Sequence, residues 1–490
     1  MKFHIIIFGC QMNYSDSARI KAVLINSWHT YTDTIDDADV VIFDTCSVRQ
    51  KSEDKVTGKL NEIPKDKKVR ITGCMIQHNF RNKKIHNEVR DKKIAWLMER
   101  WNFMGNAIST EPTIVWFTND EIEKLKSNSK EIENNDIVYV NNAYNPMFHR
   151  LWQKHPNLEL FFRIDDTGFL PLMMRKLGYE VNPDAEVTNE YTRIIPKWAN
   201  QIMDEKAKTA HVPISKWCSQ FCAFCIVPYA RWLEKHLPVE QVVAEAKHHI
   251  QEGAEEIVLL GQIVNKHPDF VEICKQILAI PGLKRLRYTS PYPTYYSDEL
   301  LTLHENEPKM CPHIHMPLQS GSNTVLKKMF RGYTVEQFKE FVDKIRWLKR
   351  KISITTDIIV WFCDETEEDF QQSLELAQYW RFDMIYIGKY STRKWTFAQR
   401  KYIDNVSPEV KQERRARLND TLIQISAENN KEEIGQTKDI LIDRVEKDRV
   451  GWYTDNMKHV ILKPKDTTLF TPGTFEQITV QSSEAFKLFA

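Results

Sequence analysis

The stretch Cys218-Ser219-Gln220-Phe221-Cys222-Ala223-Phe224-Cys225 constrains this chain more than any other, because it places three of its nine cysteines within eight residues. Thiolates separated by three and then two residues on a tight loop can hold three irons of a 4Fe-4S cube and leave the fourth iron open to a ligand. Zinc is the rival, but structural zinc usually takes four ligands from two paired knuckles, and no second CxxC exists here. A third reading places thiols at i, i+4 and i+7 on one buried helix face. Pro213 before the run and Pro228 after it favour a loop between elements.

At 490 residues, with 42% hydrophobic and 28% charged residues, the chain should form several domains that each bury a core. No apolar run is long enough to span a bilayer, and Met1 to Ile7 leads into a strand, not a signal peptide. A cytoplasmic protein is expected, in which cysteines are metal ligands or core residues and not disulfides. A net charge of +1 makes no global case for nucleic acid, so any such binding must come from local patches.

The first hundred residues read as alternating strands and helices. His4–Phe8, Ala38–Asp44 and Lys68–Thr72 are predicted strands, with a helix capped by Ser15 or Asp16 running to Ser27. Short apolar strands of this kind suit a doubly wound parallel sheet clad on both faces. Each strand is followed by a cysteine, Cys10, Cys46 and Cys74, and ligand sites in open α/β sheets lie at that edge. The three are expected to converge as a second site. From 79 to 205 the alternation is lost. Arg81–Arg90 is basic, Asp120–Asp136 is charged, and Ile137–Val140 and Leu158–Phe162 are candidate strands. This region is expected to be a surface elaboration of unknown role.

After the cysteine loop, strands are predicted at Glu256–Leu260, Arg285–Thr289, His313–Leu318, Ser353–Val360 and Phe382–Tyr390. Helices intervene at Val239–Gln251, Phe270–Ala279, Asn323–Met329, Val335–Lys349 and Glu367–Tyr379. With the strand that enters the loop, these make six β/α units, the pattern of a partial (β/α)6 barrel with its site at the carboxyl ends of the strands. Gly261-Gln262, Ser290, Gln319-Ser320-Gly321 and Tyr390-Ser391 fall at those ends. A charged helix follows at Val410–Lys431. Short strands then come at Lys438–Arg444, Gly451–Thr454, His459–Leu462 and Phe475–Ser482, as in a small antiparallel β-barrel. The expected domains are 1–80, an insertion at 81–205, 206–430 and 431–490.

At these positions the chain closely resembles the radical SAM tRNA methylthiotransferases of the MiaB type. The resemblance rests on Gly9-Cys10-Gln11-Met12-Asn13, Asp44-Thr45-Cys46-Ser47-Val48-Arg49, Thr72-Gly73-Cys74-Met75 and Cys218–Tyr229. It extends through Leu259–Gln262, Pro317–Ser322, Lys328–Thr334, Thr356–Val360 and a TRAM-like C-terminal barrel. It implies that Cys218, Cys222 and Cys225 hold a 4Fe-4S cluster that binds and reductively cleaves S-adenosyl-L-methionine. Cys10, Cys46 and Cys74 would hold a second, auxiliary cluster that carries the sulfur. Phe224, Glu234, Gln262, Gln319 and Asp357 would contact S-adenosylmethionine. The chemistry itself would belong to the clusters and S-adenosylmethionine and not to a catalytic side chain. The implied substrate is isopentenyl-adenosine 37 in the tRNA anticodon loop, methylthiolated at C2. The implied electron donor is a flavodoxin or ferredoxin, and the chain is expected to act as a monomer. Sister families act on threonylcarbamoyl-adenosine or a ribosomal protein, and a non-catalytic iron–sulfur RNA-binding protein is the reading from another class.

Several glycines of that pattern are tryptophans here: Trp28, Trp217, Trp232, Trp361, Trp395 and Trp452. An indole supplies neither positive φ nor close approach. With Gly at 15 and Trp at 13 of 490 residues, these positions read as glycines decoded as tryptophan from UGA codons. Leu237, Ile263, Cys363 and Asp364 also depart from the pattern, and Cys274, Cys311 and Cys363 read as apolar-site cysteines.

Overall fold

The computed structural model describes residues 1–46, 50–77, 151, 154–185, 208–230, 234–394, 396–445, 450–464 and 467–490. The predicted strand Ile137–Val140 and the charged stretches at 81–90 and 120–136 lie outside them, as do Ser47-Val48-Arg49, Trp232 and Trp395. The chain divides into two compact units, Met1–Ile202 with Tyr229–Trp232, and Met203–Pro228 with Leu233–Ala490.

The first unit holds a five-stranded, wholly parallel sheet of β1 (Lys2–Ile7), β2 (Thr30–Tyr31), β3 (Val40–Thr45), β4 (Lys68–Gly73) and β5 (Leu158–Phe161), ordered β2-β1-β3-β4-β5. Every residue of β3 is buried, because alternate side chains go to opposite faces and both faces are covered. Val40 and Ile42 join Phe3, Ile20, Leu24 and Phe162 on one side. Val41 and Phe43 join Val56, Leu60 and Ile71 on the other. β5 and the helix Leu170–Lys176 come from the segment read as an insertion, and Leu160, Phe162 and Met173 complete the first core. The described end of that segment is therefore part of this sheet domain, not a cover over it.

One helix boundary differs from expectation. The first helix is Gln11–Asn26, with Cys10 at its N-cap position and Ser15 and Asp16 buried within it. Asn13 is the reason: its N–H bonds the Cys10 carbonyl at 2.9 Å and its Oδ1 accepts from the Cys10 N–H at 3.2 Å, closing the first turn early.

In the second unit, β6 (Thr209–Pro213) is followed by a short hairpin, β7 (Ser215–Lys216) with β8 (Lys235–His236). β9 (Glu256–Leu260), β10 (Arg285–Tyr288), β11 (His313–His315), β12 (Ser353–Val360) and β13 (Met384–Lys389) follow, separated by helices. β6-β9-β10 and β11-β12-β13 are two parallel sheets in chain order, and an isolated parallel bridge joins Leu286 of β10 to Met310, just before β11. Ile314, Ile354 and Ile358 pack against Phe338, Val342 and Phe370 of the outer helices. His315, Thr355 and Asp357, one residue out of phase, belong to the other face. A helix not foreseen, Asp298–Asn306, is capped by Ser297, whose hydroxyl accepts from the Leu300 N–H.

The helix Pro408–Lys431 leads to a six-stranded sheet of β14 (Thr437–Val445), β15 (Val450–Thr454), β16 (His459–Leu462), β17 (Phe475–Thr479), β18 (Ser482–Glu484) and β19 (Lys487–Phe489). Its order is β17-β14-β15-β16-β19-β18. The purely antiparallel pattern expected here is corrected at one pair: the Glu484–Lys487 hairpin turns β19 back so that it runs parallel to β16. This sheet is anchored at the amino ends of the parallel strands. Arg285 donates to the Asp439 carbonyl at 2.6 Å, and Arg287 donates to those of Thr454 and Asp455 at 2.8 and 2.7 Å. Lys458 meets Asp383 at 3.0 Å. The carboxyl ends are left to the site.

Candidate functional site

In the first unit the sheet register places the three cysteines. Ile7 pairs with Asp44 and Thr45 pairs with Gly73, so continuing the register aligns Gly9 with Cys46 two steps on and Cys46 with Cys74 one step on. Adjacent strands are about 4.8 Å apart, which puts these three chain ends within a single ligand's span. The close approach needs glycine. A Cβ on Gly9 would lie 2.5 Å from the Cys46 Cβ and 2.5 Å from Asn13 Oδ1, and one on Gly73 would lie 2.2 Å from the Thr45 carbonyl. Both also have positive φ, +136° and +92°.

A buried polar web locks this edge. Asn13 Nδ2 donates to Asp44 Oδ1 at 2.8 Å and to the Thr45 carbonyl at 3.3 Å, and the Ser17 hydroxyl donates to Asp44 Oδ2 at 3.0 Å. Cys10 and Cys74 each open a helix, where backbone N–H groups favour an anion. All three are free thiols, Cys10 exposed and the other two buried.

In the second unit the Cys218–Cys225 run is a loop, as the flanking prolines predict, held from two sides. The Ala223 N–H bonds the Met329 carbonyl at 2.9 Å, and the Ala398 N–H bonds the Ala223 carbonyl at 2.8 Å. The Gln220 N–H donates to Cys218 Sγ at 3.4 Å, and Arg331 Nη1 donates to Cys222 Sγ at 3.4 Å. Burial pushes the Cys218 thiol up to about 11, opposed by the Gln220 N–H and reinforced by Cys222. Cys225 is raised too, by burial first and then by Cys222. The three thiols therefore feel one another.

Glu234 clasps this loop: it accepts from the Ser219 N–H at 3.2 Å and Lys266 Nζ at 2.6 Å, and its own N–H donates to the Ser219 hydroxyl at 3.3 Å. Gln319 and Asp357 are joined through their backbones at 2.8 Å, Gln319 with φ +72°, and Asp357 faces His315 at 3.3 Å. Gln262 is half-buried just past β9, and Phe224 packs edge-on against Phe362 at 6.4 Å. Neither shares a hydrogen bond with the other candidates. Cys274, Cys311 and Cys363 are buried free thiols; Cys274 lies in the apolar core expected of it, whereas Cys311 has Arg287, Glu256 and Asp455 around it.

Each cysteine set offers three free thiols, the donor type that holds an iron–sulfur cube. Among the described residues no three His, Cys, Asp or Glu groups gather around a single ion's position. A cube binds each thiolate to a different iron, so its cysteines stand farther apart than the ligands of one ion.

Residues that sequence reading missed include Asn13 as the organiser of the first edge, and Arg331, Tyr292 and Tyr333 beside Cys222. Arg331 and Tyr333 fell inside the Lys328–Thr334 motif, which was a usable signal. Tyr292 carried none.

Comparison with known proteins gives two family matches, the Radical SAM superfamily over residues 212–377 and the Uncharacterized protein family UPF0004 over residues 2–94. Among curated relatives, the tRNA-2-methylthio-N(6)-dimethylallyladenosine synthase of Thermoanaerobacter sp. (strain X514) is 32% identical over 91% of this chain and 83% of its own. Those of Methylacidiphilum infernorum (isolate V4) and Akkermansia muciniphila are each 29% identical, over 94% and 100% of this chain and 88% and 98% of theirs.

Proposed function

Because the chain belongs to the tRNA-2-methylthio-N(6)-dimethylallyladenosine synthase family, we propose how its residues divide that family's work. The protein is a radical SAM methylthiotransferase acting on dimethylallyl-adenosine in tRNA, and it uses 4Fe-4S clusters and S-adenosylmethionine. The readings as a sister methylthiotransferase or a non-catalytic RNA-binding protein are not favoured by these relatives.

Cys218, Cys222 and Cys225 hold the cluster whose open iron takes S-adenosylmethionine, and Cys10, Cys46 and Cys74 hold the auxiliary one. The observation that carries this division is the register of β1, β3 and β4, which delivers one cysteine from each of three adjacent strand ends. When bound, the clusters and S-adenosylmethionine supply the electron, the radical chemistry, the sulfur and the methyl group. The chain's residues position and shield. Glu234 and Lys266 fix the loop, Asn13 and Asp44 fix the auxiliary edge, and Gln319 and Asp357 form a rim beside β12. Phe224 and Gln262 complete the S-adenosylmethionine contacts.

The six parallel strands act as an open barrel. The C-terminal sheet acts as a TRAM-like RNA-binding module that grips the tRNA while the anticodon-loop base is presented. Residues 1–80 and the described part of the following segment form the auxiliary-cluster domain, 206–430 the S-adenosylmethionine domain and 431–490 the RNA module. The protein works as a cytoplasmic monomer reduced by a flavodoxin or ferredoxin. No helix among the described residues is long and apolar enough to cross a membrane.

Replacing Cys10 with Ala tests the division. The variant is expected to cleave S-adenosylmethionine to 5′-deoxyadenosine at near wild-type rate, yet insert no sulfur and hold about half the iron. Cys222→Ala is expected to lose cleavage. Loss of cleavage in Cys10→Ala with retention in Cys222→Ala would reverse the assignment.

A further inference from the structure

Arg331 stands against the cysteine loop with an arrangement that the assignment above leaves unused. Its Nη1 donates to Cys222 Sγ at 3.4 Å, its Nε donates to the Tyr333 hydroxyl at 3.0 Å, and its Nη2 donates to the Pro317 carbonyl at 3.4 Å. The guanidinium carbon lies 4.5 Å from the Tyr292 ring centroid and 5.1 Å from that of Tyr333, and the two rings meet edge to face at 5.3 Å, so the cation rests against an aromatic corner. Both rings are fixed in turn. The Tyr292 hydroxyl accepts from the Gly332 N–H at 2.8 Å, and the Tyr333 hydroxyl donates to the carbonyls of Pro317 and Leu318 at 2.8 and 2.9 Å.

The charge balance is what points to a role. A guanidinium stays protonated, and a half-buried one ordinarily meets a carboxylate. Among the described residues no Asp or Glu forms an ion pair with Arg331. The groups that face it and can become anionic are the Cys222 and Cys225 thiols and the phenols of Tyr292 and Tyr333. Phenols stay neutral near pH 7. The partners that become anions in the working protein are the cysteine sulfurs, once they ligate iron, and of these Cys222 Sγ is the one that accepts a hydrogen bond from Arg331.

We propose that Arg331 is a positioning residue that sets the reduction potential of the cluster held by the Cys218–Cys225 loop, through its N–H donation to the Cys222 sulfur. The inference rests on Cys222 being a cluster ligand. Reduction adds negative charge to a cluster, and hydrogen bonds to its sulfurs are among the known controls on its potential. A fixed cation on one sulfur favours the reduced state and raises the potential. Tyr292 and Tyr333 hold the guanidinium in plane, so the donor does not reorganise when the electron arrives.

The experiment is a redox titration by electron paramagnetic resonance of the full chain carrying both clusters, following the signal that changes shape when S-adenosylmethionine is added. Iron is counted in every sample. Cys222→Ala is the control, and survival of that signal in it would mean that the ligand assignment is wrong, a failure separate from that of the inference. Arg331→Gln is expected to keep its iron and its signal while the ratio of reduced to oxidised cluster at a fixed potential falls about tenfold, a shift of ~59 mV for one electron. Arg331→Lys, which keeps the charge and loses the planar fork, is expected to fall about threefold. Titration of Arg331→Gln at the wild-type potential overturns the inference. Should Arg331→Gln take up no iron in the loop, Arg331→Lys decides, and wild-type behaviour there overturns it equally.

Discussion

Tryptophan occupies backbone positions in this chain that its side chain cannot favour. Trp28, Trp217 and Trp361 have φ of +68°, +64° and +74°, the left-handed region that costs an ordinary L-residue about 1–2 kcal/mol. Trp28 closes its helix with its own N–H on the Ile25 carbonyl and the His29 N–H on the Leu24 carbonyl, both near 3.0–3.1 Å. That is the helix-ending motif in which glycine is the usual left-handed residue. Trp361 is fully buried with its indole N–H unpartnered, an added cost. With the low glycine and high tryptophan counts, these three positions agree with glycine written as tryptophan. Peptide mass mapping of the protein purified from its own cells is expected to read glycine at 28, 217 and 361. Tryptophan at all three would contradict this.

At the scale of elements, the end of β12 is tied to the helix Pro408–Lys431 through one carboxylate. Glu365 accepts from the Trp361 N–H at 2.8 Å and from Arg414 at 3.1 Å. Burial nonetheless pushes its pKa from 4.5 up to about 7, outweighing the Trp361 N–H and Arg414, which pull it down. A folded-state pKa above the unfolded one means stability that is full below about pH 4.5 and is lost as pH rises through about 7. Complete ionisation corresponds to roughly 3 kcal/mol. Glu365→Gln cannot ionise, so its melting temperature relative to wild type is expected to rise between pH 5 and pH 8. Parallel pH curves for the two proteins would count against the coupling.

At the scale of the whole chain, what was legible in the sequence was what local spacing and periodicity encode. The strand ends that carry Cys10, Cys46 and Cys74, the loop nature of Cys218–Cys225 and the run of six β/α units all follow from short-range pattern. The features that escaped are long-range. β5 joins the first sheet from far downstream, and its residues Leu158–Phe161 gave no sign of which sheet would take them. The helix start at Gln11 turned on Asn13 folding back onto Cys10, a contest between side-chain and backbone hydrogen bonds that propensity does not decide. The parallel β16–β19 pair depended on a hairpin near the C-terminus, and Tyr292 reached Arg331 only through the fold.

This chain places a methylthio group on dimethylallyl-adenosine in tRNA, and the proposal is that its two cysteine sets hold the clusters that do so. Nucleoside mass spectrometry of tRNA from cells lacking the gene, complemented in turn with wild type, Cys10→Ala and Cys222→Ala, tests it most directly. The 2-methylthio nucleoside is expected with wild type alone, and its unmethylthiolated dimethylallyl precursor in the other strains. The 2-methylthio mark at wild-type level in the uncomplemented strain, or with either variant, would contradict it.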